Sequence, residues 1–222
     1  MNGDGALALR LAGEDLWLLP QKALYWPRER MLIVADIHFG KAASFRALGV
    51  PVPAGTTSAN LAALDELIDR HAVGQILFLG DFLHARAAHA ASTLDAMASW
   101  RAARPSLRLT VVRGNHDMRA GDPPSRLGID MVDEPHLHGP FAFCHHPDVL
   151  VDAYVMAGHV HPVFRLRSGW EALTLPCFLA CAGAIVLPSF GAFTGGHPVA
   201  PQPGQRVFVT SGDKVFEVPD SA

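Results

Sequence analysis

The chain has 222 residues, of which 50% are hydrophobic and 18% are charged, and its formal net charge is −3. This composition is typical of a folded protein with a large core, and it excludes a disordered chain and a uniformly basic nucleic-acid-binding protein. The longest apolar run, 177–187, is far shorter than the ~20 residues of a membrane helix. The amino terminus lacks the features of a signal peptide, which favours a cytoplasmic protein without a membrane segment.

The first half of the chain alternates predicted strands and helices. Two short strands are predicted around Gly13, within residues 6–19. Continuous apolar runs predict buried strands at 31–36, 75–80 and 107–113. A helix is predicted after a cap at Thr57 or Ser58, with its apolar residues on one face, and a second helix is predicted at 90–103.

From about residue 129 the pattern changes to short strands. They are predicted at 129–132, 141–145, 154–157, 163–167, 172–175 and 207–210, with a surface loop at 195–204. Two stacked sheets with helices outside them, in a single α/β domain spanning 1–222, would satisfy both halves. The three cysteines do not suggest a disulfide framework, and Cys177 and Cys181 are predicted to pack in the core.

Five clusters of polar residues follow predicted strands. They are Asp36-Ile37-His38, Gly80-Asp81-Phe82-Leu83-His84, Gly114-Asn115-His116-Asp117, Cys144-His145-His146-Pro147 and Gly158-His159-Val160-His161. Residues i and i+2 of an extended segment lie on one side, so Asp36 and His38 can both reach one cation, and His159 and His161 are predicted to be a metal-binding pair. The two oxygens of Asp81 can bridge two cations. Taken singly, these clusters also fit a chance pairing at a strand end, a helix cap, a turn or two loop histidines.

The joint order of the five clusters resembles that of the calcineurin-like metallophosphoesterases. The resemblance implies a four-layer αββα sandwich with two stacked mixed β-sheets flanked by helices. It also implies two divalent metal ions, the first held by Asp36, His38, Asp81 and His161, and the second by Asp81, Asn115, His145 and His159. His146 is the alternative to His145, which we favour because it directly ends the apolar strand. Oxygen and imidazole ligands suit Mn²⁺, Fe or Zn²⁺, and the resemblance favours Mn²⁺.

Two such cations would neutralise a phosphodiester and acidify a bridging water, and the resulting hydroxide would attack phosphorus. His116 is predicted to protonate the leaving oxygen as a general acid. Asp117 is predicted to orient His116 by accepting the other ring N–H. Both catalytic predictions concern the third cluster.

Four further segments resemble one branch of this superfamily, the ligase-associated DNA damage response endonucleases of the Lhr operon. These segments are 35–46, 51–57, 144–147 and 190–196. The branch resemblance implies a manganese-dependent endonuclease that nicks single-stranded DNA in repair. It further implies a functional association with a DNA ligase and an Lhr-type helicase.

Several residues adjoin the metal motifs and are predicted to contact the substrate phosphate, namely Arg46, His84, Arg86 and Arg113. Lys41 lies in a similar position, and solvated loop charges are the alternative for each basic residue. Two other functions are compatible with the same motifs. One is a phosphoesterase for cyclic nucleotides, nucleotide pyrophosphates or phosphoproteins, and the other is a non-catalytic scaffold, which the complete ligand set disfavours.

Overall fold

The computed structural model describes residues 5–52, 55–149, 151–168 and 171–219. The helices are α1 Lys41–Ala47, α2 Thr56–His71, α3 Ala91–Ala102 and α4 Asn115–Ala120. The strands are β1 Leu7–Leu11, β2 Glu14–Leu19, β3 Ala23–Trp26, β4 Met31–Ala35, β5 Gln75–Leu79, β6 Arg108–Val112, β7 Asp130–Val132, β8 His136–His138, β9 Phe141–Cys144, β10 Tyr154–Ala157, β11 Pro162–Ser168, β12 Glu171–Ala180, β13 Ala184–Val186, β14 His197–Pro198, β15 Arg206–Thr210 and β16 Val215–Glu217. Within the described residues, no helix has the length and apolar character needed to cross a membrane.

The strands form two mixed sheets. The first has the order β1-β2-β3-β4-β5-β6-β7, antiparallel from β1 to β4 and parallel from β4 to β7. The second has the order β14-β11-β12-β13-β10-β9-β8, and β15 and β16 extend it from β12. Strands β9, β10 and β13 are parallel to one another.

The two sheets stack on a shared apolar core. Leu18 and Ile33 of the first sheet belong to the same buried cluster as Phe141, Phe178 and Phe208 of the second. Strand β4 is buried at every residue, as expected for a continuous apolar run in a parallel sheet. The two stacked mixed sheets that the sequence predicts are therefore confirmed.

Helices α2 and α3 cover the other face of the first sheet. Leu61, Leu64 and Leu67 of α2, with Leu94 and Met97 of α3, are buried in that second core. Their spacing of three residues places them on one side of each helix, which is the pattern that the sequence shows. The predicted helix at 90–103 is thus confirmed in type and position.

Three details differ from the predictions. Helix α2 begins at Thr56 after Gly55, which has a left-handed φ of 84°, and no side chain caps it, so the predicted cap at Thr57 or Ser58 is wrong. Cys177 is buried as predicted, but Cys181 is exposed. The third detail concerns the helices expected outside the second sheet. In the described part of the chain no α-helix follows α4, and residues such as Val149 pack on part of the outer face of this sheet.

The topology brings several strand ends to one edge of the sandwich. Parallel strands β4, β5 and β6 are neighbours in the first sheet, so the segments that follow them lie side by side. Parallel strands β9 and β10 do the same in the second sheet. Loops at the carboxyl ends of parallel strands are the usual location of a functional site.

Candidate metal centre

The five clusters meet at this edge, where the backbone is strained. Five non-glycine residues there have left-handed φ values between 45° and 68°: Asp36, His38, Asp81, His159 and His161. Such conformations are uncommon for residues with a Cβ atom, and they concentrate at functional sites. The fold therefore maintains an unfavourable backbone in order to direct these side chains.

A first group of candidate ligands, called here the first ligand group, consists of Asp36, His38, Asp81 and His161, whose candidate ligand atoms all lie within 4.8 Å of one another. Nε2 of His38 is 3.7 Å from Oδ2 of Asp81, and Nε2 of His161 is 3.6 Å from Oδ2 of Asp36. The structure thus brings together the four residues that the sequence predicts for one metal.

A second group converges on Nε2 of His145. This atom is 2.9 Å from Oδ1 of Asn115, 3.0 Å from Nδ1 of His159 and 3.6 Å from Oδ1 of Asp81. Asp81 therefore directs one oxygen to each group. Asp81 could therefore contribute to both groups if each held a cation.

The donor atoms of the first group fit a cation. Oδ1 of Asp36 and the Nε2 atoms of His38 and His161 are buried and have no hydrogen-bond partner among the described residues. Buried polar atoms are normally paired, so three orphans in one cluster are exceptional. Oxygen and imidazole nitrogen are ligands that Mn²⁺, Fe and Zn²⁺ accept.

Burial controls the protonation of these groups. It lowers the pKa of His38 to about 2, with Lys41 as the next contribution, so this imidazole is neutral, which is the form that binds metal. Burial also raises the pKa of Asp36 to about 6. A nearby cation would reverse that effect, because its charge favours the carboxylate.

The fourth cluster is held in place by Glu134, a residue that the sequence does not single out. Oε2 of Glu134 accepts hydrogen bonds from the backbone N–H groups of His145 at 2.7 Å and His146 at 2.9 Å, and Oε1 lies 2.6 Å from Nδ1 of His146. His145 is fully buried, whereas 35% of the His146 side chain is exposed. Only tertiary structure shows that Glu134 fixes both histidines.

The predicted contact between His116 and Asp117 is wrong. Nδ1 of His116 lies 2.7 Å from the backbone carbonyl oxygen of His84. The buried carboxylate of Asp117 instead accepts backbone N–H groups of Phe82 at 3.1 Å, Leu83 at 2.8 Å and Gly114 at 3.0 Å. Asp117 therefore joins the loop after β5 to the loop after β6.

His84 lies inside the site, beside the first ligand group. Its Nδ1 is 3.3 Å from Nδ1 of His38, and its ring stacks on that of His116 with centroids 4.8 Å apart. His38, His84 and His116 form a further set of three imidazoles close enough to hold one cation. Burial lowers the pKa of His84 to about 4, followed by the effects of His116 and Lys41.

The arginines predicted to bind substrate have different environments. The guanidinium of Arg113 forms two hydrogen bonds with Asp122, at 2.8 and 2.9 Å, and one with Asp133 at 2.9 Å. Arg113 is therefore paired with two acids, and its contact with the substrate stays a prediction. Arg46 and Arg86 are exposed, on α1 and on the short 3-10 helix 86–89.

Gly114 explains part of the third motif. A Cβ atom at this position would lie 2.4 Å from both the backbone nitrogen and Oδ1 of Asp81, a distance that real Cβ atoms essentially never show. The contact is possible only for glycine, and it seats Asn115 and His116 directly against Asp81. The backbone N–H of His116 donates to Oδ1 of Asp81 at 3.0 Å.

Aspartate, asparagine and histidine ligands at the strand ends of a two-sheet sandwich define a metal-dependent phosphoesterase. The sequence model of the calcineurin-like phosphoesterase family matches residues 29–143. The chain belongs to this family, and it is a hydrolase that acts on phosphoester bonds. Its clusters of histidine and aspartate can hold the divalent metals that the family uses.

Solved structures supply the other comparisons. The crystal structure of the Pseudomonas putida nuclease MPE has 44% sequence identity and a TM-score of 0.86, and the match covers 96% of this chain and 100% of that one. This similarity is consistent with the branch that segments of the sequence resemble. No curated protein sequence matches the chain significantly.

Two more distant structures have TM-scores below 0.5 and support no inference. A protein of unknown function from Aquifex aeolicus has 18% identity and a TM-score of 0.41, covering 59% of this chain and 78% of that one. A phosphoesterase from E. coli has 13% identity and a TM-score of 0.38, covering 85% of this chain and 97% of that one.

Proposed function

We propose that this protein is a metal-dependent phosphodiesterase that cleaves single-stranded DNA internally, as an endonuclease in repair. The position of Asp81, with one oxygen toward each ligand group, supports a two-metal phosphodiesterase. The Pseudomonas putida nuclease, which is 44% identical over its whole length, supports a nucleic-acid substrate. The choice of DNA rests on the segments 35–46, 51–57, 144–147 and 190–196, which resemble the DNA damage response endonucleases.

In this proposal, one cation is held by the first ligand group, and a second by Asp81, Asn115, His145 and His159. When bound, divalent cations such as Mn²⁺ neutralise the phosphate and acidify a coordinated water. His145 is preferred to His146 because its side chain is fully buried and its Nε2 faces ligand atoms of Asn115, His159 and Asp81. The neutral imidazoles and the buried acids supply the donor atoms. Gly114 allows Asn115 and His116 to lie directly against Asp81.

His116 serves as the general acid in this mechanism. A carbonyl oxygen only accepts, so the carbonyl of His84 requires a proton on Nδ1 of His116. Nε2 can then carry the proton that is delivered to the leaving oxygen, and it lies 3.9 Å from Oδ2 of Asp81. After the transfer the ring is neutral and keeps its bond to His84, so the carbonyl selects the correct tautomer.

The test is metal-dependent nicking of circular single-stranded DNA by protein stripped with a chelator and reloaded with Mn²⁺, Mg²⁺ or Zn²⁺. Asp81→Asn and Asn115→Ala should abolish nicking, whereas Asp130→Asn, at an exposed position on β7, is the matched control. A chromogenic diester, bis-p-nitrophenyl phosphate, is assayed on the same samples. Hydrolysis of the diester without nicking of the circular DNA would indicate a small-molecule substrate. Inactivity on both the diester and the DNA would contradict the proposal.

Three further statements belong to the same proposal. The chain acts as a single domain over 1–222, works in the cytoplasm, and associates functionally with a DNA ligase and an Lhr-type helicase. Limited proteolysis tests the first, fractionation of the cells that express it tests the second, and co-purification from those cells tests the third.

A further inference from the structure

A polar pocket opens beside the metal centre. His38 of the first ligand group forms one wall, and the others include Lys41, Thr56, Thr57 and Thr194. Because His38 belongs to both, the pocket adjoins the place where the phosphate under attack must lie. None of its other polar residues is needed to hold the metals.

Lys41 gives this pocket a positive charge. Its side chain is partly buried and forms no hydrogen bond or close ion pair with any described residue. Its ammonium group is therefore available to an anion.

Helix α2 supplies neutral donors to the same pocket. It is 16 residues long, begins at Thr56, has no side-chain cap and has no acid in its first turn. Its free N–H groups and positive helix end therefore favour an anion. On the facing loop, the buried Oγ1 of Thr194 has no hydrogen-bond partner among the residues described.

We propose that this pocket binds a second phosphate of the substrate, the one that neighbours the scissile phosphate in a nucleic-acid strand. The inference deepens the proposed function and rests on it. A lysine, threonine hydroxyls and a helix end are the groups that proteins use to contact backbone phosphates without reading sequence. Phosphomonoesters and cyclic mononucleotides have no second phosphate, so the pocket selects a polymer over them.

A second phosphate could also come from a nucleoside pyrophosphate, and binding measurements separate the two sources. Calorimetry on the full chain loaded with Mn²⁺ compares thymidine 3′,5′-bisphosphate with thymidine 5′-diphosphate and with each thymidine monophosphate. The 3′,5′-bisphosphate should bind about tenfold more tightly than either monophosphate, because it adds a charge-assisted contact. Calorimetry reports binding even when the enzyme is catalytically inactive.

Lys41→Met should abolish most of this advantage, and Thr57→Val should reduce it severalfold. Lys214→Met, at an exposed lysine on the far turn before β16, is the matched control and should keep the advantage. Circular dichroism establishes that each variant is folded, and Lys41→Arg, which retains the charge, should restore part of the advantage if Lys41→Met is unstable.

Three results would overturn the subsite: no advantage of the bisphosphate in the wild type, an advantage that survives both Lys41→Met and Thr57→Val, or an equal advantage of the 5′-diphosphate. Hydrolysis of bis-p-nitrophenyl phosphate and nicking of circular DNA are followed on the same samples. Their absence would overturn the proposed function, while the calorimetry would still decide whether the pocket takes a second phosphate.

Discussion

The imidazole of His116 is fixed by the residue it stacks on. Nδ1 of His116 is 2.7 Å from the carbonyl oxygen of His84, and the two rings stack at 4.8 Å with an angle of 19° between their planes. One residue thus sets both the tautomer and the tilt of His116, the proposed general acid, and Nε2 is left 3.9 Å from Oδ2 of Asp81.

His116→Ala should lower turnover about 10²–10⁴-fold on substrates with a poor leaving group. The loss should be much smaller for bis-p-nitrophenyl phosphate, because p-nitrophenolate leaves without a proton. The measurement is kcat on both substrates, with metal content determined for each sample. Equal losses on the two substrates would contradict the general-acid role, and His136→Ala, outside the ligand groups, serves as the control.

Asp117 should matter for stability as well as for activity. Its two oxygens accept three backbone N–H groups, and the amide of Asn in Asp117→Asn would direct N–H groups at one or more of these donors. We expect the free energy of unfolding to fall by about 1–3 kcal/mol, since buried donors lose their acceptor. Urea unfolding measures this change, and an effect no larger than that of the exposed Asp130→Asn would refute the bridging role of Asp117.

The sequence predicts the candidate metal ligands better than the residues that hold them in place. Asp81 and the other candidate ligands follow apolar strands in a fixed order, and this local pattern is present in both the sequence and the structure. Helix α4, Asn115–Ala120, escapes prediction because Gly-Asn-His-Asp also has the composition of a turn. Arg113 and Glu134 show the remaining difficulty. Their partners are distant in sequence or lie in irregular segments. Only the tertiary structure therefore shows that Arg113 forms a surface ion pair and that Glu134 contacts the site.

Glu134 should control the second ligand group through His145 and His146. Glu134→Gln removes the charge and leaves one acceptor oxygen for the three contacts that the carboxylate makes. Substitutions of this kind typically cost about 10–100-fold in metal affinity or activity. Manganese affinity measured by calorimetry tests the prediction, with Glu171→Gln at an exposed position on β12 as the control. Unchanged manganese binding in Glu134→Gln would show that the histidines hold their positions without it.

Lys22 should make stability depend on pH in the alkaline range. Burial lowers the pKa of Lys22 to about 8 from 10.5, and its Nζ donates to the carbonyl oxygen of Phe190 at 2.8 Å. Between pH 8 and 10.5 the unfolded chain keeps the proton that the folded chain has lost. Stability of the wild type should therefore rise with pH in this window, and the full cost of burying the charge applies below it.

Lys22→Met removes that cost but also the hydrogen bond to Phe190. We expect the variant to be more stable than the wild type near neutral pH by about 2 kcal/mol, from a pKa shift worth about 3 kcal/mol less one hydrogen bond. The difference in the free energy of unfolding between variant and wild type should shrink and then reverse as the pH approaches 10.5. At that pH the cost of burying the charge is gone, and only the loss of the hydrogen bond affects the variant. Urea unfolding in chelator at several pH values measures it, and Lys214→Met should show no such trend. A gap between wild type and Lys22→Met that is constant across the window would mean that Lys22 is not desolvated in the folded protein.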